Sequence, residues 1–195
     1  IESAYCRFNF FNCWKMITKP YGSKLVNQII TKKYFSKLPV SKQTIINLQD
    51  DDYFNAINIA LGLYSPIKGF CDYKKYLSII KNNKISNKIN WTIPILLSCK
   101  LNSNIIKKNF FYKIKYKTKI VGAIYIEDTF KINKRQFIKK IFNTNDKTHP
   151  GILSLKKKKN FFIGGKIFLL QNAFPKSKYF TFPNALRKSI SKQKG

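Results

Sequence analysis

Phe110-Phe111-Tyr112-Lys113-Ile114-Lys115-Tyr116-Lys117-Thr118-Lys119-Ile120-Val121-Gly122-Ala123-Ile124-Tyr125-Ile126 is the stretch on which the fold turns. Its first seven residues interleave aromatic and aliphatic side chains with lysines. That period of two predicts a half-buried strand. Lys117, Thr118 and Lys119 form a short polar break, and residues 120–126 then run almost wholly apolar. The pair therefore predicts a hairpin whose second strand is more deeply buried than its first.

The same reading extends in both directions. Residues 44–48 are rich in β-branched side chains and predict a strand. Asp50, Asp51 and Asp52 come after it and precede an apolar-periodic segment at 53–61, closed by Gly62. Carboxylates suit the positive N-terminal end of a helix and glycine its C-terminal end, so the triplet is read as a helix start and not as a cation site. Asp72 is placed to cap a helix over 73–81. Residues 91–97 predict a strand with an edge or bulge at Pro94. Glu127 and Asp128 are expected to lead toward a helix near 133–142. A short helix is expected at 152–155, and the run Lys156-Lys157-Lys158-Lys159 reads as a solvated turn. Residues 161–170 predict a strand with a bulge or close backbone approach at Gly164-Gly165, and Pro183 can open a last helix. The fold class is α+β: a small twisted barrel or sheet with helical decoration.

Composition bounds the function. The chain has 195 residues, enough for one sizeable domain, and 44% of them are hydrophobic. It contains no uninterrupted apolar run of membrane-spanning length. With no export signal and cysteines at 6, 13, 71 and 99 in no metal-binding spacing, reduced thiols in a cytoplasmic protein are expected. Residues 1–15 carry no helical or strand period and are expected to be a loosely held or non-native leader ahead of Met16.

The net charge is +30, yet only Arg7, Arg135 and Arg187 are arginines. Such a charge attracts polyanions. Base and phosphate readout leans on the arginine fork, and lysine bias with abundant Ile, Asn, Phe and Tyr fits an AT-rich genome. Weak, salt-sensitive polyanion binding without sequence preference is the expectation.

Catalytic patterns are scarce. No phosphate-binding glycine motif is present. His149 is the sole histidine and precedes Pro150 in a loop, where a structural hydrogen-bonding role is expected. No catalytic, cofactor-binding or metal-ligating residue is assigned.

Several blocks resemble the ATP sulfurylases (sulfate adenylyltransferases). Pro20-Tyr21-Gly22-Ser23-Lys24-Leu25-Val26 resembles the family's opening P-H-G-G-x-L-[VI]. Gly62-Leu63-Tyr64-Ser65-Pro66-Ile67-Lys68-Gly69-Phe70 resembles its G-x-[FY]-S-P-L-x-G-F block. Trp91-Thr92-Ile93-Pro94-Ile95-Leu96-Leu97 is similar to W-x-I-P-I-x-L, and Thr144-Asn145-Asp146-Lys147-Thr148-His149-Pro150-Gly151-Ile152 to T-x-D-x-x-H-P-G-V. Gly164-Gly165-Lys166-Ile167 and the stretch from Thr181 to Arg187 match two further blocks in order. Tyr21, Ser23, Ile67 and Cys71 depart from the pattern.

The resemblance implies a PUA-like small β-barrel with short helices, occupying 16–190, with 191–195 opening a linker. It implies the N-terminal, non-catalytic domain of an enzyme that converts ATP and sulfate to adenosine 5′-phosphosulfate and pyrophosphate in sulfate assimilation or sulfur metabolism. The family's Q-x-R-N, H-x-x-H and G-R-D-H motifs are missing. ATP and sulfate would thus bind a catalytic domain outside this chain, and the chain alone is expected to be inactive. The implied partner is that catalytic domain, in cis or as a split partner; a homo-oligomer is a further implied state. Ser65, Pro66, Gly69 and Phe70, with Asp146, His149, Pro150 and Gly151, are the expected interdomain contacts. Internal loop packing is the equal alternative for both loops. A stand-alone RNA-binding PUA-like module is the alternative function.

Overall fold

The computed structural model describes residues 17–86, 89–100, 104–144, 146–175 and 177–192. The leader read at 1–15 lies outside the described residues.

The hairpin forms as expected. β7 (Phe110–Tyr116) pairs antiparallel with β8 (Lys119–Lys131). On β7, Tyr112 and Ile114 are buried, while Lys113 and Lys115 lie between them on the other, half-exposed face. β8 is the more buried partner, with Val121, Ala123, Ile124 and Ile126 inside. It also runs further than predicted. Glu127 and Asp128 stay in the strand because β9 (Phe161–Leu170) offers backbone partners as far as Lys131. Tertiary pairing overrides the poor strand propensity of the two acids.

β9 is the hub. It pairs antiparallel with β8, β3 (Gly69–Phe70) and β6 (Leu97–Ser98), and parallel with β1 (Ile29–Ile30). β2 (Val40–Leu48) adds to β7 in parallel, giving the path β1-β9-β8-β7-β2. The irregularity expected at Gly164-Gly165 lies opposite them. Gly165 pairs with Ile126 and Gly164 with Asp128, so the extra residue is Glu127 on β8. The glycines instead serve close approach: a Cβ on Gly69 would sit 1.8 Å from the carbonyl oxygen of Gly165.

The helices cover this sheet. α2 (Asp50–Leu61) buries Tyr53, Ala56, Ile57, Ile59, Ala60 and Leu61 in one core with Ile114, Ile124, Ile163 and Ile167. It ends at Gly62 in the left-handed conformation, φ 82°. α3 (Tyr73–Asn82) is capped as expected by Asp72, whose carboxylate accepts the Lys75 N–H at 2.7 Å. It packs Tyr76, Ile79 and Ile80 into a second cluster with Phe130, Phe137 and Phe162. Burying each large aliphatic or aromatic side chain stabilises the domain by about 1.5–3 kcal/mol.

Three local expectations change. Residues 91–96 are not strand, although Leu97 begins β6. Pro94 has no N–H to pair, and Pro94, Ile95 and Leu96 are buried in succession without alternation. The helix near 133–142 divides into α4 (Lys134–Phe137) and a π-helical turn, Ile138–Phe142. α5 (Pro150–Lys157) absorbs Lys156 and Lys157, so only Lys158 and Lys159 leave the helix. The remaining elements are α1 (Lys32–Phe35), a small pair of strands, β4 (Lys84–Ser86) and β5 (Ile89–Asn90), and α6 (Pro183–Lys192). Among the described residues, no helix is long and apolar enough to cross a membrane.

Candidate functional site

Three of the blocks singled out in the sequence meet at one groove of about 680 Å³. Tyr64 supplies one wall, residues 91–96 the second, and Gly151 with α5 the third, while α2 forms the floor through Phe54, Asn55 and Asn58. The convergence has a physical cause. Asn58 Nδ2 donates to the Tyr64 hydroxyl at 3.1 Å, and that hydroxyl donates to Asn55 Oδ1 at 3.4 Å. Tyr64 also meets the Trp91 ring edge-on, centroids 6.2 Å apart at 76°. The Trp91 indole N–H donates to the Ile93 carbonyl at 2.8 Å and tightens the second wall.

The groove is apolar at its rim. Phe54 is 53% exposed and Ile93 56% exposed. Two large apolar side chains left in water beside a groove are a feature of docking surfaces.

The two loops expected at an interface differ in where they lie. Ser65 is buried, and its Oγ accepts the Val26 N–H at 3.0 Å and donates to the Gly62 carbonyl at 2.5 Å. Phe70 is buried in the main core and Gly69 is locked against β9. Pro66 is half-buried and rests near Gly22. The other loop stays at the surface: Asp146 and Pro150 are exposed, His149 and Gly151 partly so.

Local hydrogen bonds organise that second loop. Asp146 Oδ1 accepts from the Thr148 N–H at 2.8 Å and from the Thr148 hydroxyl at 2.7 Å. The hydroxyl contact, then the backbone one, holds the Asp146 carboxyl below the usual carboxylate range. His149 is the N-cap of α5: its Nδ1 accepts the Gly151 N–H at 3.2 Å, and its ring lies 4.9 Å from the Phe142 ring. A Cβ on Gly151 would come within 2.6 Å of the Phe142 ring, so glycine lets the helix start close to it.

A larger cleft of about 990 Å³ lies beside the groove, between β2 at Ile45, Ile46 and Asn47 and the end of β6 at Ser98 and Lys100. Asp51, Ser154 and Lys158 line both spaces. Lys158 Nζ contacts Asp52 Oδ1 at 2.7 Å, and the Ser154 hydroxyl donates to Asp51 Oδ2 at 3.2 Å. These contacts tie α5 to the first turn of α2. Burial raises the Asp52 carboxyl, and Lys158 opposes that rise without cancelling it. Sequence reading missed this pair. It placed all three aspartates at the helix start, which holds for the first turn, but Lys158 is one lysine in a run of four and carries no mark of its own.

Nucleophilic chemistry has little support here. Cys71 is buried, which pushes its thiol up to about 11 and leaves it protonated at neutral pH.

Comparison with known proteins agrees with this geometry. The family model for the PUA-like domain matches residues 18–172. The chain is 32% identical over 184 residues to a sulfate adenylyltransferase of Ignicoccus hospitalis, a match covering 92% of this chain and 48% of that protein. It is 30% identical to sulfate adenylyltransferases of Pyrococcus abyssi and Thermococcus onnurineus, covering 92% and 86% of this chain and 48% and 45% of theirs. A solved structure described as a hexameric APS kinase from Thiobacillus denitrificans shares the fold at a TM-score of 0.61 and 16% identity, over 90% of this chain and 31% of that one. The chain spans about half the length of the curated relatives it matches. It belongs to the PUA-like domain family, and it is homologous to part of the sulfate adenylyltransferases.

Proposed function

We propose that this chain is the N-terminal, non-catalytic domain of a cytoplasmic sulfate adenylyltransferase, and that the 680 Å³ groove seats the catalytic portion of that enzyme. The whole enzyme would join sulfate to the adenylyl group of ATP and release pyrophosphate. The observation that carries the reading is the convergence of Tyr64, residues 91–96 and Gly151, far apart in sequence, on one groove with Phe54 and Ile93 exposed at its rim.

On this reading the chain's residues position and shield and do not react. The Tyr64–Asn58–Asn55 contacts and the α5 cap hold the groove walls, so little ordering is needed when a partner docks. The curl of the sheet belongs to a small barrel whose seam is the cleft between β2 and β6, bridged by Asp52 and Lys158.

The experiment joins this chain to the remaining half of the Ignicoccus hospitalis relative and measures sulfate-dependent pyrophosphate release from ATP. The joined protein turns over, the 195-residue chain alone does not, and Ile93→Arg lowers activity of the joined protein at least about tenfold, as expected for loss of a central apolar contact. Turnover by the chain alone, or an Ile93→Arg protein with full activity, overturns the reading.

A polyanion-binding module is the second reading, favoured by Lys100, Lys157 and Lys159 along the larger cleft. Asp51 and Asp52 face the same space, and its lining includes no aromatic ring to stack a base. Retention of one RNA at physiological salt, against a scrambled control, would favour that module; loss of all RNA binding with added salt supports the first reading.

A further inference from the structure

α6 is amphipathic, and none of its residues is buried. Phe182, Leu186 and Ile190 recur every four residues, so they lie along one side of the helix. They are 40%, 49% and 47% exposed. Few contacts tie the helix to the domain. The Arg187 guanidinium donates to the Thr18 carbonyl, and Phe182 leans on Phe174 and Phe180 at its start. Toward β1, the helix borders a second space of about 680 Å³ with Asn184, Ala185 and Lys188. Its small and polar side therefore faces the domain, and its apolar side does not.

We infer that the Phe182–Leu186–Ile190 stripe is a docking surface for the part of a sulfate adenylyltransferase that this chain does not contain; the inference rests on the reading above. Two observations choose this occupant. The PUA-like match stops at residue 172, so α6 lies outside the unit that the domain family defines. The matched relatives carry as much chain again beyond the portion they share with this one. A second copy of this chain is disfavoured by charge. Each copy carries +30, and Arg187, Lys188 and Lys192 on α6 would face their counterparts. An isolated ten-residue helix is marginal in water, so an apolar partner along one side is what would stabilise this one.

The test is amide hydrogen exchange of α6, measured in the full chain alone and in the same chain joined to the remaining half of the Ignicoccus hospitalis relative. Docking slows exchange across α6 at least about tenfold in the joined protein. Leu186→Asp with Ile190→Asp returns α6 to the rate of the chain alone, whereas Lys188→Glu, on the opposite side of the helix, keeps the protection. The double variant leaves the melting temperature of the chain alone unchanged, because α6 buries nothing there. If one junction fails to fold, the Pyrococcus abyssi relative supplies a second. Equal exchange in the chain alone and the joined protein overturns the inference. So does protection in the chain alone that grows with concentration and disappears in the double variant, which would assign the stripe to a second copy. Turnover separates this outcome from the functional reading. An active joined protein with unprotected α6 sinks the docking surface and leaves the reading standing, while protection without turnover does the reverse.

Discussion

The 65–70 loop and the 146–151 loop are alike as sequence, each a turn of Pro, Gly and polar residues at a family-like block. In three dimensions they divide the two roles open to both. The first turns inward: Ser65 closes hydrogen bonds to Val26 and Gly62, Gly69 pairs with β9 and Phe70 fills the core. The second stays outside and completes itself with local hydrogen bonds from Thr148 to Asp146 and from Gly151 to His149. A turn motif therefore reports that the backbone must bend there. Whether it bends into the core or around a surface depends on the size and polarity of the residue just past the turn, here Phe70 against Ile152 at the base of a helix.

Substitutions can break this contrast, and the largest effect belongs to the inward loop. Phe70→Ala removes a ring that is 2% exposed and destabilises the domain by about 3–5 kcal/mol, read from chemical denaturation. A loss below about 1 kcal/mol would mean that the loop is not part of the core and that the two loops are alike after all.

Lys158→Met comes next, because it strands Asp52 without its cation beside the outward loop's helix. The cost is about 3 kcal/mol near neutral pH, the class of effect seen when one partner of a buried pair is removed. Its pH dependence has a definite sign. Asp52 titrates above its ordinary value in the folded state, so across that window the folded state holds a proton that the unfolded state has released. Stability through this group falls as pH rises, and losing Lys158 carries the window higher. The denaturation midpoint of the variant should therefore lie further below that of the parent at about pH 7 than at about pH 4. An equal gap at both would remove Asp52 from the account.

His149→Ala is smaller, about 1 kcal/mol, the usual loss for a helix N-cap. Joined to a catalytic half, the same variant should keep its turnover within a few-fold. A fall of several orders of magnitude with an unchanged melting temperature would make His149 a chemical participant.

Thr148→Val should scarcely move the melting temperature. Its effect is on Asp146, whose titration midpoint by NMR should rise toward the ordinary carboxylate value as the hydroxyl contact is lost. A midpoint that stays put would assign the depression to the backbone N–H alone.

Much of the fold was legible in the chain. Period-two patterning located the β7–β8 hairpin, and Gly62 and Asp72 marked helix ends, because these signals depend on near neighbours and on backbone conformations that few residues adopt. The ordered family-like blocks likewise announced the PUA-like domain and its sulfate adenylyltransferase relatives. Where local propensity and long-range pairing disagreed, pairing decided. Glu127 and Asp128 entered β8 because β9 extends alongside them, and residues 91–96 left the strand state because Pro94 cannot donate and both flanks pack inward. The groove was not legible at all, since Phe54, Asn55 and Phe142 acquire meaning only beside Tyr64 and Trp91. Nor was the Asp52–Lys158 contact, which joins residues more than a hundred positions apart. Sequence alone determined the elements and their kinship, through patterns a few residues long. Only the tertiary structure decided which polar groups meet and which apolar faces remain uncovered, because burial and distance are properties of the packed chain.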